Sequence, residues 1–432
     1  MHDDTATTCQ RLTRRRFLAS LVAAAGARCL AVAREPVAEQ PRRHSILVFF
    51  SWSFRNIGDI AITPGLLRLV EKHIPGAEVT VVAHGSLEQY RQYLKDRFPN
   101  CRLLANPFKS GKPLPQPFRE AFDRADLILY NSGTTLSFGR WDRDWNRTIP
   151  LAMPLFMARD AGKRYGIYCQ TFDLFAPPSD VLFKKVLADA AFVFARDGDS
   201  IEYLKSIGLA PPGLEFGPDS TFAFDLRDER WADAFMAHHR LEPRKFITLT
   251  IRSKQGGFLD DRREQLHAAK LRDLVARWVA ETGLPVLVCP EVDLEIEPAK
   301  RLIVDPLPEA LRRHVRFKDD FWLPDQAFSV YARARAIVSM EMHSIILGLA
   351  AGTPVIHPRF VEAGRKAWML RDLGVEEWLS DVDRDSAEKI TAPLLEIHRD
   401  YDAALAKVRK AMEFVRRRQT ETMQVVRRTL EK

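Results

Sequence analysis

The amino-acid sequence predicts an α/β fold built from two similar halves. Short apolar runs alternate along the chain with segments of helical periodicity, which is typical of a parallel sheet covered by helices on both faces. These runs fall into two sets, separated by a charged stretch near residues 225–243. A chain of 432 residues is long enough for two domains. We therefore predict two Rossmann-like domains that face each other across a cleft.

The first domain is predicted over residues 45–230. It begins after a linker at 34–44 with a strongly apolar run, and a helical pattern at 58–73 follows. Further short apolar runs, each bounded by polar residues, continue the alternation and are read as buried strands. The predicted strands of this half cover residues 45–50, 78–83, 125–130, 164–169 and 191–195.

The second domain is predicted over residues 240–385 from the same alternation of short apolar runs and helical patterns. Its predicted strands cover residues 246–251, 285–289, 336–339 and 354–356. Its predicted helices cover residues 265–282, 325–333 and 343–351.

The last segment, residues 391–432, is predicted to form one amphipathic helix. Its apolar residues recur mostly at steps of three and four, which places them on one helical face. These residues are Leu394, Ile397, Tyr401, Leu405, Val408, Met412 and Val415. We expect this face to pack across both domains.

The first 33 residues have the pattern of a twin-arginine signal peptide. Arg14-Arg15-Arg16 precedes an apolar run at 18–27, and Ala31-Val32-Ala33 offers a cleavage site. The apolar run is much shorter than the ~20 residues that span a bilayer. We expect export of the folded protein, so that it is periplasmic or secreted and keeps no membrane anchor after cleavage. An unprocessed, disordered basic N-terminus is the alternative.

Charge and cysteine content exclude several classes of protein. The formal net charge is +8, and it falls to +5 without residues 1–33, which hold five arginines and two aspartates. This dispersed charge argues against a nucleic-acid partner. Cys101, Cys169 and Cys289 remain, an odd and widely spaced set that predicts neither a disulfide framework nor a metal site. The oligomeric state is left open.

Polar residues follow the predicted strands of the first half, at the ends where parallel sheets bind ligands. Asn56, Gly58 and Asp59 lie after the first strand, at the start of a helix. Gly58 permits close approach of a ligand, and the helix N-terminus offers N–H groups to an anion. Ser132 and Gly133 form a small polar loop after the third predicted strand. We predict that these five residues bind substrate.

In the second half, Arg252-Ser253-Lys254 ends the first predicted strand. Two cations and a hydroxyl at this position suit a ligand that carries both carboxylate and phosphate, because arginine offers a bidentate fork. Glu291 follows the next strand and is a candidate base or hydroxyl-binding group. We predict that Arg252, Ser253 and Lys254 bind substrate and that Glu291 acts in catalysis.

Three segments carry a resemblance to one known family. Residues 195–222 contain Arg-Asp, a serine three residues after that aspartate, and a closing Gly-Pro-Asp. Residues 56–59 read Asn-Ile-Gly-Asp, and residues 343–354 run from a histidine to Ala-Ala-Gly-Thr-Pro. Together they resemble the polysaccharide pyruvyl transferase family over roughly residues 44–380. The resemblance implies a GT-B-like arrangement of the two domains.

The resemblance also implies a reaction: pyruvyl transfer, as a cyclic ketal, from phosphoenolpyruvate to a sugar of a cell-surface glycan. Phosphoenolpyruvate would be a donor substrate, a glycan or its precursor the acceptor, and no cofactor or metal is expected. His343 matches the family's Arg-x-His pattern and is the expected general acid. Glu341 stands where the family has arginine, and we expect it to bind substrate or to pair with Arg333 or Arg335.

Two other functions fit the same residues. A GT-B-type glycosyltransferase also ends in a helix followed by Ala-Ala-Gly-Thr-Pro, as residues 350–354 do here. A non-catalytic carbohydrate-binding protein would keep the fold without the chemistry. Both remain alternatives to pyruvyl transfer at this point.

Overall fold

The computed structural model describes residues 43–109, 112–139, 144–211, 213–257 and 259–432. The predicted signal peptide and the linker up to residue 42 lie outside the described residues, so export stays a prediction. Residues 44–432 form one compact unit, and the predicted domain boundaries inside it stay predictions. Among the described residues, no helix combines the length and apolar character needed to cross a membrane.

Seven strands form the first sheet of the described chain, and all of them run parallel. They are β1 (Ser45–Ser51), β2 (Glu78–Ala83), β3 (Arg102–Ala105), β4 (Leu127–Tyr130), β5 (Tyr165–Gln170), β6 (Val193–Ala195) and β7 (Leu214–Phe216). Their spatial order is β3-β2-β1-β4-β5-β6-β7. The α-helices between them are α1 (Ile57–His73), α2 (Leu87–Leu94), α3 (Gln116–Arg124), α4 (Trp145–Asp160), α5 (Ser179–Ala188) and α6 (Gly198–Ser206).

The second sheet repeats this plan with six parallel strands within the described residues. They are β8 (Ile247–Thr250), β9 (Val286–Val288), β10 (Val315–Phe317), β11 (Ala336–Ser339), β12 (Val355–Arg359) and β13 (Leu379–Asp381). Their order is β10-β9-β8-β11-β12-β13. The accompanying α-helices are α7 (Glu229–His239), α8 (Asp261–Thr282), α9 (Ile296–Ala299), α10 (Glu309–Arg312), α11 (Pro324–Tyr331), α12 (Met342–Ala350) and α13 (Met369–Asp372).

Both sheets therefore have the doubly wound order, in which the chain reverses direction beside its first strand. The reversal lies between β1 and β4 in one sheet and between β8 and β11 in the other. Crevices at such reversal points, outside the carboxyl ends of the strands, are where open α/β sheets bind ligands. The predicted fold class, two Rossmann-like halves of parallel strands and helices, is confirmed.

The C-terminal segment differs from the prediction of one helix, because it forms α14 (Ala387–Arg399) and α15 (Tyr401–Glu431). Asp400 separates them with backbone angles φ −123° and ψ 75°, and its side chain accepts a hydrogen bond from the Ala403 N–H. A capping aspartate starts a new helix in this way. α15 packs against α1 and α12, so it touches helices of both halves.

Candidate functional site

A cavity of about 1070 Å³ opens at the carboxyl ends of the strands of both sheets. Its lining comes from the residues that follow β1, β4, β8 and β11, among others. The two halves are joined directly beside it. The Ile57 N–H donates to the Glu291 carbonyl at 3.0 Å, and the Asp293 N–H donates to the Arg55 carbonyl at 3.0 Å. The predicted cleft is thus bridged on one side by two backbone hydrogen bonds between the halves.

Glu291 and His343 form a pair at the back of this cavity. Glu291 is fully buried, one carboxylate oxygen accepts the Ser344 N–H at 2.6 Å, and the other lies 3.5 Å from His343 Nδ1. Desolvation works to raise the pKa of Glu291, but the interactions with His343 and Ser344 outweigh it and the pKa is lowered. The Glu291 carboxylate therefore faces the imidazole at Nδ1, and within the described residues its Oε1 makes no hydrogen bond of normal geometry. The other ring nitrogen, Nε2, has no hydrogen-bond partner among the described residues.

Gly58 makes room for this imidazole. A Cβ atom at Gly58 would lie 2.0 Å from His343 Cγ, far inside van der Waals contact. The N–H groups at the start of α1 are already used, because Ile57 donates to Glu291 and both Gly58 and Asp59 donate to the Asn56 side chain. The expectation that this helix N-terminus offers free N–H groups to an anion is therefore wrong.

Asn56 and Asp59 do line the cavity. Burial raises the pKa of the Asp59 carboxyl to about 6, although the nearby His343 and Lys366 oppose the rise. A carboxyl with this pKa exchanges a proton close to neutral pH, which suits a general base. Their binding role stays a prediction, but both residues are at the position that it requires.

Arg252 lies in the cavity wall between two acidic residues. Its Nη1 donates to Glu341 Oε1 at 2.5 Å, and its Nε lies 3.7 Å from Glu295 Oε1. The predicted pairing of Glu341 with Arg333 or Arg335 is wrong, since Arg333 pairs with Glu229 and Asp233, and Arg335 donates to the His398 carbonyl. Desolvation raises the pKa of Glu295 to about 7, against the opposing charge of Arg252.

The remaining predicted binding residues take different positions. Gly133 lines the cavity. Ser132 is fully buried, and its hydroxyl forms a hydrogen bond of 3.0 Å with the Ser220 hydroxyl. Ser253 caps a short turn, because its hydroxyl accepts a hydrogen bond from the Gln255 N–H. Lys254 is exposed and pairs with Asp261. Ser132, Ser253 and Lys254 are not among the lining residues, and substrate binding by them stays a prediction without geometric support.

The Arg-Asp segment that opened the family resemblance forms a buried network. Arg196 and Asp219 are ion-paired at 2.5 Å with side chains 1% and 0% exposed. Asp197 caps α6 by accepting the Ser200 N–H at 2.8 Å. The Thr171 hydroxyl links Arg196 to Asp197, because it accepts a hydrogen bond from the Arg196 guanidinium and donates one to the Asp197 carboxylate. The motif thus fixes Arg196, which lines the cavity, at one position in the wall.

Lys366 is a lining residue that the sequence analysis did not identify. It lies in the loop after β12, among the strand ends that form the cavity. The sequence signal was weak, since Lys366 lies ten residues beyond the predicted strand 354–356, whereas Arg252 follows its predicted strand directly. Within the described residues, no group of three or more histidine, cysteine, aspartate or glutamate side chains is placed to hold a metal ion.

Comparisons with known proteins agree with this architecture. The family model described as polysaccharide pyruvyl transferase matches residues 56–357. A search of curated proteins by sequence found no match. Among solved structures, the chain is similar to HepE of Anabaena in complex with UDP and glucose, with 12% identity, a TM-score of 0.55, and coverage of 90% of this chain and 100% of that one.

Two sugar-nucleotide epimerases have a similar fold. The UDP-GlcNAc 2-epimerase of Neisseria meningitidis, bound to UDP-GlcNAc, gives 11% identity, a TM-score of 0.54, and coverage of 90% of this chain and 99% of that one. The corresponding epimerase of Methanocaldococcus jannaschii gives 12% identity, a TM-score of 0.53, and coverage of 82% and 92%. At these identities the likeness concerns the fold, and it confirms the predicted GT-B-like arrangement.

Proposed function

Because this chain belongs to the polysaccharide pyruvyl transferase family, we propose that it transfers a pyruvyl group from phosphoenolpyruvate to a sugar of a cell-surface glycan. The product is a cyclic ketal and the by-product is inorganic phosphate. The observation that carries the proposal is the Glu291–His343 pair, set at 3.5 Å in a cavity that is also lined by Arg196, Arg252 and Lys366.

The chemistry requires an acid, a base and a set of cations. A proton is added to the methylene carbon of phosphoenolpyruvate, and positive charge develops at the neighbouring carbon. One sugar hydroxyl adds to that carbon, the C–O bond to phosphate breaks, and a second hydroxyl of the same sugar closes the ketal. The two sugar hydroxyls together lose two protons. One balances the proton that converted the methylene carbon into the methyl group of the ketal, and the other leaves with the released phosphate. Fixed charges lower the barrier where charge develops.

The residues divide these tasks by position. His343 supplies the proton to the methylene carbon, and Glu291, buried behind it, keeps the imidazole oriented and supports its positive charge. Asp59, with its pKa near 6, accepts the proton of an attacking hydroxyl. This assigns the base role to Asp59 instead of Glu291, whose carboxylate is occupied by Ser344 and His343.

The direct test follows phosphate release by the purified full chain with phosphoenolpyruvate, with and without a cell-surface glycan. We expect phosphate release that depends on glycan, together with a new ketal methyl signal in the NMR spectrum of the glycan. His343→Ala is the matched variant, and the rates of both signals should fall by ~10²- to 10⁴-fold. Glycan binding without phosphate release would overturn the proposal in favour of a non-catalytic carbohydrate-binding protein. Turnover of a sugar nucleotide instead would favour a GT-B-type glycosyltransferase.

A further inference from the structure

The outward face of α15 is strongly basic. Residues 401–432 hold nine lysines and arginines and four acidic residues, which gives a net charge of +5. This equals the whole net charge of the chain without residues 1–33, so residues 34–400 taken together are neutral. The positive charge is therefore concentrated on one helix instead of being dispersed. Among the described lining residues of the cavity, none belongs to α15, so this basic face lies outside the candidate site.

Helical geometry arranges the exposed cations of α15 in two rows. Positions 7 or 18 residues apart point in the same direction to within about 20° on a helix of 3.6 residues per turn. Each row is about 27 Å long, because 18 residues rise by ~1.5 Å each. The exposed cations are Arg409, Arg416 and Arg427 in the first row and Lys410, Arg417 and Arg428 in the second.

The rest of the molecule holds these rows in place. The opposite face of α15 is buried, as at Val408 and Val426, and the helix packs against α1 and α12. Arg418 fixes the helix to β7, because its guanidinium donates to the Phe216 carbonyl at 2.6 Å and pairs with Glu215 at 3.0 Å. The backbone that carries the two rows is therefore anchored to the folded core.

Most of these cations have no acidic partner. Arg427 pairs with Glu431 at 2.8 Å, whereas the other five make no ion pair with any residue that the structure describes. An exposed cation on α8 does have such a partner one turn away, since Arg277 pairs with Asp273 at 2.9 Å. Unpaired like charges on one face repel each other. An anionic partner would relieve this repulsion.

The spacing of the cations indicates the kind of anion. Six cations over about 27 Å give roughly one per 4.5 Å, whereas duplex DNA carries one phosphate per ~1.7 Å. The exposed Glu413 lies between the rows and would repel a dense array of phosphates. No large hydrophobic side chain of α15 is exposed, so the helix lacks the apolar face that enters a membrane. Guanidinium groups form paired hydrogen bonds with carboxylates, which favours a sparsely charged polymer of carboxylates.

We propose that the two cation rows of α15 form a docking surface for an anionic polysaccharide that carries carboxylates along its chain. The choice of polymer rests on the proposed function, because each pyruvyl ketal adds one carboxylate to the glycan. The surface holds such a glycan outside the cavity in which the ketal forms. Docking can be measured without turnover, so it is tested separately from the reaction.

The test is isothermal titration of the full chain with polygalacturonate, a carboxylated polysaccharide, and with dextran, which is neutral. Wild type is expected to bind polygalacturonate, less tightly as NaCl is raised from ~50 to ~200 mM, and not to bind dextran. A fourfold glutamine variant should bind polygalacturonate roughly 10- to 100-fold more weakly, since several exposed ion pairs of modest strength are lost together. This variant combines Arg409→Gln, Lys410→Gln, Arg416→Gln and Arg417→Gln.

Two further variants are the controls. The first removes the same number of charges at scattered exposed positions and should bind polygalacturonate like wild type. It combines Lys95→Gln, Arg119→Gln, Arg230→Gln and Arg262→Gln. The second control keeps the charge of α15 and should retain most of the affinity, which excludes damage to the helix as the cause of weaker binding. It combines Arg409→Lys, Arg416→Lys and Arg417→Lys. All variants keep residues 1–42, so any contribution of that basic segment cancels.

Several results would overturn the proposal. They are no binding of polygalacturonate by wild type, equal weakening in the α15 glutamine variant and the scattered control, or equal weakening in the lysine variant. Tighter binding of duplex DNA or of phosphatidylglycerol vesicles would also overturn it, in favour of nucleic acid or a membrane. Polygalacturonate binding that depends on α15, without phosphate release from phosphoenolpyruvate, would support docking and contradict the proposed function. Glycan-dependent phosphate release by a protein that does not bind polygalacturonate would do the opposite.

Discussion

Arg252 and Glu341 are joined by a hydrogen bond of 2.5 Å between Nη1 and Oε1, and both side chains are largely buried, at 13% and 7% exposed. Glu341 occupies the first position of the family's Arg-x-His pattern. Its negative charge is therefore compensated inside the protein by the arginine that the sequence had assigned to the donor. The ion pair partly neutralises Arg252 and makes this face of the cavity less positive.

Removal of the Glu341 charge should free Arg252 for the donor. We expect Glu341→Gln to bind phosphoenolpyruvate on the order of 10-fold more tightly than wild type, because a charged hydrogen bond becomes available. Glu341→Arg, which restores the family residue, should also bind at least as tightly as wild type. Isothermal titration measures both affinities, and Glu376→Gln, on the exposed surface, is the control. Weaker binding by Glu341→Gln would instead make Glu341 the residue that positions Arg252.

Changes at the Glu291–His343 pair should act on the rate. His343→Ala is expected to lower kcat by ~10²- to 10⁴-fold, the range for loss of a general acid. Glu291→Gln keeps an acceptor for the Ser344 N–H but removes the negative charge beside the imidazole, and a smaller fall in kcat with little change in KM is expected. Steady-state kinetics with phosphoenolpyruvate separates the two parameters. If Glu291→Gln altered KM alone, the pair would serve binding and not proton transfer.

Asp59 should determine the acidic limb of the pH profile. Its pKa is raised from 3.8 to about 6, so it becomes able to accept a proton as pH rises through about 6, and kcat/KM should rise over the same interval. In Asp59→Asn that rise should disappear along with most of the activity. Between pH values of about 4 and 6, Asp59 is mostly protonated in the folded state and mostly ionised in the unfolded state. The contribution of Asp59 to the free energy of unfolding should therefore fall as pH rises from about 4 to 6. Urea unfolding across this interval should show a smaller fall in Asp59→Asn than in wild type, because the Asp59 contribution is removed.

The Arg196–Asp219 pair should be essential for stability. Arg196→Met leaves the buried Asp219 carboxylate without its partner, and a loss of ~3–5 kcal/mol in the free energy of unfolding is expected. A second change, Asp219→Asn, should restore part of this loss. The control is the exposed pair of Arg159 and Asp189, also at 2.5 Å, where Arg159→Met should cost no more than ~1 kcal/mol. Equal losses at the two sites in chemical denaturation would contradict the argument from burial.

Export depends on residues outside the described part of the chain. Replacement of Arg14 and Arg15 by lysine should leave the precursor in the cytoplasm if a twin-arginine signal directs transport. Cell fractionation followed by immunoblotting detects the precursor and the shortened mature form. Appearance of the mature form outside the cytoplasm in this variant would contradict the signal assignment.

The central strands of both sheets could be predicted from the sequence, and the four edge strands could not. β2 and β11 have the predicted bounds, and the other central strands differ by a few residues at their ends. Each central strand is covered on both faces, so its residues form an apolar run that stands out. β3, β7, β10 and β13 lie at the sheet edges, span three or four residues and are largely half-exposed. Their pairing is a tertiary contact that leaves little trace in local composition.

The same limit applies to the site. The sequence by itself determined which residues follow strands β1, β8 and β11, and so placed Asp59, Arg252 and His343 at the ligand-binding ends of the sheets. Only the tertiary structure decided which charges meet. It paired Arg252 with Glu341 across 89 positions of the chain and closed the start of α1 with the Glu291 carbonyl. Ion pairing depends on distances of a few ångströms between residues remote in sequence, and these distances exist only once both sheets have formed and docked.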